Sequence, residues 1–183
     1  MNPKVSIVIP CREINDYGKE CIGHCLKLDY QNFEVLVLPD HQVDINLDHV
    51  RVIPTGPVGP SEKRNWALEA DGDIIAFIDA DAYPAPDWLT EAVKHFADNE
   101  VGAVGGPAVT PLSDALAARA SGAVFCSLLG SGSLKYRYSP QAGREVDDYP
   151  SCNLLIRKSL FQELGGFSTL YWPGEDTKLC LEL

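Results

Sequence analysis

The sequence predicts an α/β domain built on a mostly parallel sheet flanked by helices. Three observations lead there. Short β-branched runs alternate with amphipathic segments, the pattern of strands joined by crossover helices. One of those runs, Ile74-Ile-Ala-Phe-Ile78, is apolar throughout, as a strand buried on both faces must be. The residues suited to chemistry fall where such runs end, and ligands of parallel sheets gather at the carboxyl ends of the strands.

The elements follow in order. Lys4 to Pro10 (KVSIVIP) is a first strand, with Cys11-Arg12-Glu13 directly after it. Tyr17 to Leu28 spaces Cys21, Ile22, Cys25, Leu26 and Leu28 as one helical face, and Phe33 to Leu38 is a second strand stopped by Pro39-Asp40. Val50 to Pro54 makes a short third strand, and Gly56-Pro-Val-Gly-Pro60 must be loop. Ser61 then caps a helix reaching about Ala70, although the capping-box acid is missing at its fourth place. Strand four runs from Ile74 to Ile78, a helix from Pro86 to about Phe96 buries Leu89, Val93 and Phe96, and Val101 to Val104 is a fifth strand.

After Gly105-Gly106-Pro107 the pattern changes, which divides the single domain 1–183 into a first half, 1–106, and a second, 107–183. Leu112 to Leu129 is alanine-rich and helical, whereas Gly130 to Asp148 lacks a clear period and reads as a mobile loop over the site. Within it Arg144, Asp147 and Asp148 read as solvated charges. Tyr149 to Arg157 returns as a strand, Ser159 to Leu164 as a short helix, and Trp172-Pro-Gly-Glu-Asp176 introduces a last helix. The chain stops at Leu183 with no cap, so the second half is expected to be incomplete, truncated at its carboxyl end.

Composition narrows the function. A chain of 183 residues, 45% hydrophobic, is one globular domain, and a net charge of -11 with a pI near 4.7 repels phosphate backbones and anionic lipid alike. Lys135-Tyr136-Arg137-Tyr138 interleaves bases with aromatics, but two charges among acids neutralise little, so nucleic acid is excluded as a partner. The N-terminus carries no secretory or membrane-spanning pattern, which implies a cytoplasmic location, with the inner membrane face as the one membrane setting and any association left to sequence beyond 183. Six cysteines without a C-x-x-C pair predict free thiols, with Cys21 and Cys25 packed as small hydrophobes.

The motif that carries chemistry is Asp79-Ala80-Asp81. A bare D-x-D is common, and Asp71-x-Asp73 is a second copy, but only Asp79 and Asp81 follow the strand. Neither G-x-G-x-x-G nor a P-loop is present, so phosphate must be held otherwise. Two carboxylates repel a phosphate unless a hard divalent cation lies between, and Mn²⁺ or Mg²⁺ bound by one or two carboxylates is the usual solution. Glu175-Asp176, taken alone, is no more than acid at a helix start. Trp172 reads equally as packing or as a platform for an acceptor.

In motif order the residues resemble the inverting glycosyltransferase family 2, which has the GT-A fold. Val5-Ser-Ile-Val-Ile-Pro10 is similar to the family's first strand, Asp40 to its nucleobase-binding aspartate, Lys63-Arg64-Asn65 to the segment approaching the nucleotide, and Gly72 to Asp81 to the strand bearing D-x-D. Asn153 to Arg157, Gly165-Gly166-Phe167 and Gly174-Glu175-Asp176 continue the match. Two departures stand out: Pro39-Asp40 where many members carry two aspartates, and Cys11 where many carry threonine.

The resemblance implies sugar transfer from a UDP- or GDP-sugar to a hydroxyl of a saccharide or lipid-linked acceptor, as in cell-envelope polysaccharide synthesis. By the same resemblance the nucleotide contacts Pro10, Cys11, Glu13, Asp40, Arg64, Asp79 and Asp81, the metal sits on Asp81 with Asp79, and Asp176, flanked by Glu175, is the catalytic base. Residues 1–106 would bind the donor and 107–183 the acceptor. Two other readings compete. A sugar-1-phosphate nucleotidyltransferase should show a glycine-rich, basic loop after strand one, which Cys11-Arg12-Glu13 does not supply. A non-catalytic sugar-nucleotide-binding module would bind without turnover.

Overall fold

A computed structural model describes residues 2–171 and 173–183, so Trp172 lies outside the described residues. Six strands, β1 (Val5–Pro10), β2 (Phe33–Leu38), β3 (Val50–Val52), β4 (Ile74–Ile78), β5 (Ala103–Gly105) and β6 (Asn153–Arg157), form one sheet in the order β3-β2-β1-β4-β6-β5. The pairings β1-β2, β1-β4 and β2-β3 are parallel. Those of β6 with β4 and β5 are antiparallel. The mostly parallel α/β sheet expected from the alternation is therefore present.

Side chains of successive strand residues point to opposite faces, and both faces are covered. Ile7, Ile9, Val35, Ile74 and Ala76 pack with Cys21, Ile22 and Cys25 of α1 (Asp16–Cys25) and with Leu89 and Ala92 of α3 (Trp88–His95). Val8, Leu36, Ile75 and Phe77 meet the other layer, which contains Ala67, Phe161, Phe167 and Leu179. Phe77 lies 5.5 Å from Phe161 and 5.0 Å from Phe167, ring centre to ring centre, an edge-on cluster that adds about 1 kcal/mol per pair beyond its buried area.

Several boundaries differ from the sequence reading. α1 starts earlier and stops sooner than Tyr17 to Leu28, because Asn15 caps it by accepting from the Gly18 amide at 3.1 Å. α2 (Pro60–Arg64) begins at proline with Gly59 as its cap; Ser61 is inside, and the helix tightens to a 3₁₀ turn over Asn65–Glu69 rather than running on to Ala70. β6 is confined to Asn153–Arg157 because Tyr149 leaves the sheet: its ring packs where a side chain on Gly105 would come within 2.2 Å. The fifth strand is displaced to Ala103–Gly105 and pairs with β6 alone.

The region read as an irregular loop is partly ordered. α4 (Leu116–Phe125) is followed by α5 (Leu128–Ser131) and a 3₁₀ turn over Gly132–Arg137, and α6 (Lys158–Glu163) comes after β6. Asp148 is not a solvated charge. It pairs with the Arg137 guanidinium, accepts from Thr177 Oγ1 at 2.9 Å and from Tyr136 Oη at 3.3 Å, and so ties the end of the segment both to its own start and to α7 (Glu175–Leu181). Burial works against the Asp148 charge, but the bonds from Arg137, Thr177 and Tyr136 outweigh it and hold the carboxyl below its ordinary range. Arg144 is exposed and lies over the Tyr136 ring at 4.7 Å, and Asp147 is exposed. Among the described residues no helix is long and apolar enough to cross a membrane.

Candidate active site

One edge of the sheet collects the polar residues. β1, β2 and β4 deliver Cys11, Asp40 and Asp79 just beyond their carboxyl ends. β6 runs the other way, with Asn153 opposite Ile78, so the residues before it, Ser151 and Cys152, arrive at the same edge. Had β6 been parallel, its first residues would lie at the far side of the sheet. The antiparallel insertion thus brings the second half of the chain to the acids of the first.

At the β1-β2 end, the Cys11 amide donates to Leu38 O at 3.2 Å and the Asp40 amide to Arg12 O at 3.0 Å, extending the ladder past both strands. Pro10 stands opposite Leu38, and Glu13 is exposed in the connection to α1. Burial pushes the Cys11 thiol up to about 11, with Lys63 partly opposing, so it serves as a neutral wall. Lys63 Nζ lies 2.7 Å from Asp40 Oδ1. Its hydrogen bonds go elsewhere, to Leu38 O at 3.3 Å, Thr55 Oγ1 at 2.6 Å and Gly56 O at 3.2 Å. Asp40 Oδ1 is buried against that ammonium, so the 17% of the side chain that stays exposed lies away from Oδ1.

At the β4 end, Ala82 N closes a turn onto Asp79 O at 3.0 Å, and Asp81 is exposed at its tip. Arg64 Nη2 donates to Asp79 Oδ1 at 2.9 Å and Nη1 to Glu175 Oε1 at 3.2 Å. The side chains of Arg64 and Glu175 are 7% and 5% exposed, that of Asp79 39%. Arg64 is therefore committed to two carboxylates rather than held free for a phosphate.

The acids that open α7 diverge. Gly174 precedes them with φ 118°, a left-handed conformation that favours glycine. Glu175 turns inward to Arg64, and Asp176 stays half-buried, accepting from Ser151 N at 3.2 Å and Thr177 N at 2.9 Å. Cys152 lies among these groups: burial, then the charges of Asp79 and Asp176, raise its thiol to about 11, while Arg64 opposes. Among the described residues no three His, Cys, Asp or Glu side chains converge on a metal position. Asp81 is exposed and Asp79 half-buried with one oxygen on Arg64, and oxygen donors of this kind suit an ion that completes its shell with water and substrate oxygens.

A cavity of about 910 Å³ adjoins this edge, lined by Asp79, Asp81, Trp88, Gly106, Cys152 and Asn153. Trp88 Nε1 donates to Asn153 Oδ1 at 2.8 Å on its wall. Asp40, Arg64 and Asp176 are not part of that lining, so the cavity and the cluster around Arg64 are neighbours that share Asp79. Sequence reasoning missed Lys63 as the partner of Asp40, Ser151 as the support of Asp176, and Asn65, which clamps Phe167 through bonds of 2.8 and 2.9 Å. Only the basic pair before Asn65 gave any signal.

Sheet order, the acids at its carboxyl edge and the overall α/β layering define the GT-A class of fold, and solved structures agree. A mannosyltransferase, PcManGT from Pyrobaculum calidifontis in complex with GDP-Man and Mn²⁺, superposes with a TM-score of 0.66 at 21% identity, over 98% of this chain and 51% of its own. TarS of S. aureus in complex with UDP-GlcNAc gives 0.64 at 18% identity, over 98% and 52%. The model of glycosyl transferase family 2 matches residues 6–165, and the chain belongs to that family. A pre-mycofactocin glycosyltransferase of Mycobacterium tuberculosis is 32% identical over 127 residues, 68% of this chain and 26% of the relative. An uncharacterized glycosyltransferase of Haemophilus influenzae is 30% identical over 112 residues, 54% of this chain and 44% of the relative. The chain thus spans between about a quarter and a half of these relatives and structures.

Proposed function

We propose that this chain is the donor-binding and catalytic part of an inverting glycosyltransferase that moves a sugar from a UDP- or GDP-sugar to the hydroxyl of a saccharide or lipid-linked acceptor. The observation that carries this is the meeting at one sheet edge of Asp79-Asp81, after the central strand, with Glu175-Asp176, from the other end of the chain. In this reading residues 1–106 hold the donor and 107–183 begin the acceptor side, facing the cytoplasm along the inner face of the membrane in cell-envelope polysaccharide synthesis.

Asp40, held by Lys63 through Oδ1, accepts from the nucleobase through the part of its carboxylate that stays exposed, and Pro10, Cys11 and Glu13 border the nucleoside. Asp81, assisted by Asp79, holds the divalent ion, Mn²⁺ or Mg²⁺. Once bound, that ion offsets charge on the leaving diphosphate. Asp176, fixed by the Ser151 and Thr177 amides, takes the proton of the acceptor hydroxyl as its oxygen bonds the anomeric carbon and the carbon–diphosphate bond breaks on the opposite side. One displacement inverts the centre.

A thermal-shift screen of nucleotide-sugars tests the reading. With ligand near a hundredfold over Kd, Mn²⁺ together with UDP- or GDP-sugars should raise Tm by about 5 °C or more. Stabilisation by none of them, or by nucleotide equally with and without metal, would count against it. Binding without any turnover in the full-length protein would favour a non-catalytic module.

A further inference from the structure

We infer that Arg64 is a positioning residue that fixes the metal-side acid Asp79 and the base-bearing start of α7 relative to each other, rather than a ligand of the nucleotide. The inference rests on the function proposed above and assigns Arg64 a different task within it. The guanidinium is a planar fork, and here its two terminal nitrogens are spent on different elements: Nη2 on Asp79 at 2.9 Å and Nη1 on Glu175 at 3.2 Å. Its Nε is buried with no acceptor, so no further group on the protein competes for the fork. The ring of Phe167 lies 5.8 Å from Cζ, and Asn65, next in the chain, grips the Phe167 backbone through both its amide O and N. The base of the fork is thereby held as firmly as its tines.

The charge arithmetic gives this geometry its purpose. Four carboxylates, Asp79, Asp81, Glu175 and Asp176, approach one edge, and Glu175 is almost wholly buried. A buried carboxylate without a cation takes up a proton or moves toward water. Glu175 and Asp176 are the first two residues of α7, so a shift of the backbone at Glu175 would carry Asp176 with it. Arg64 holds Glu175 inward at 3.2 Å, leaving Asp176 on the Ser151 and Thr177 amides. A lysine carries the same charge on a single nitrogen and cannot span both acids with the same planar geometry.

The test compares Arg64→Lys, Glu175→Gln and their combination in the full-length protein. UDP and GDP with Mn²⁺ are the binding probes, and UDP-GlcNAc and GDP-Man the turnover probes. Both single variants should bind nucleoside diphosphate within about threefold of wild type while kcat falls at least tenfold. Because both break one unit, the double variant should lose little more than the worse single. Hydrogen exchange, which needs no turnover, should quicken in Arg64→Lys at the Ala82 and Thr177 amides together. Weaker nucleotide binding by tenfold or more with kcat intact, or unchanged exchange at both amides, would overturn the inference. If Arg64→Lys does not fold, the same readouts on Glu175→Gln decide. Asp176→Asn separates the two levels: if it retains full turnover, the proposed function fails; if it is inactive while Arg64→Lys acts through binding, only the role of Arg64 fails.

Discussion

Adjacent residues on a helix point about 100° apart, and for Glu175 and Asp176 that rotation gives them different surroundings. Glu175 is sealed against Arg64, whereas Asp176 remains half-buried on two backbone amides. Asp176→Asn, nearly isosteric, should keep nucleoside diphosphate affinity and lower turnover by about 10² or more, the range for a lost general base; steady-state kinetics beside calorimetry would show it. Thiol reactivity offers an independent check on the site's polarity. Cys152 is raised to about 11 by burial and by Asp79 and Asp176, while Cys126 is exposed. Iodoacetamide at pH 8 should therefore label Cys126 well before Cys152, as peptide mass mapping would resolve. Rapid alkylation of Cys152 would mean that the neighbouring acids are not where the structure has them.

At the scale of elements, the clasp of Arg137, Asp148 and Thr177 joins the segment after β5 to α7. Asp148→Asn removes a charge-assisted network that is mostly buried and should cost about 2 kcal/mol, read as a lower denaturation midpoint. Its carboxyl is held below the ordinary range, so the stabilisation is complete above the unfolded pKa near 4 and is lost as pH falls through the lower folded value. Wild-type stability should therefore fall toward acid more steeply than that of Asp148→Asn. The strands of this architecture were legible because β-branched apolar runs ended by proline or aspartate have few other uses, as in Val5–Pro10 and Phe33–Leu38. The insertion of β6 between β4 and β5 was not, since strand neighbours are chosen by packing on both faces and leave no local trace. For the same reason Asp148 looked like a loop charge: its partners, Arg137 and Thr177, are 11 and 29 residues away.

At the scale of the molecule, a chain of net charge -11 gathers its candidate site acids at one edge and offsets them with Lys63 and Arg64. Asp79, Asp81 and Asp176 were legible as candidates from position and resemblance, but their meeting depended on the direction of β6, which sequence did not supply. On the proposed function, with Arg64 committed to Asp79 and Glu175, the remaining acids would need a cation before they could tolerate a diphosphate. Titration calorimetry of UDP and GDP against wild type and Asp81→Ala, each with and without Mn²⁺, tests this most directly. Wild type should bind only when Mn²⁺ is present, and Asp81→Ala in neither condition. Equal affinity of Asp81→Ala and wild type for the nucleotide in Mn²⁺ would contradict it.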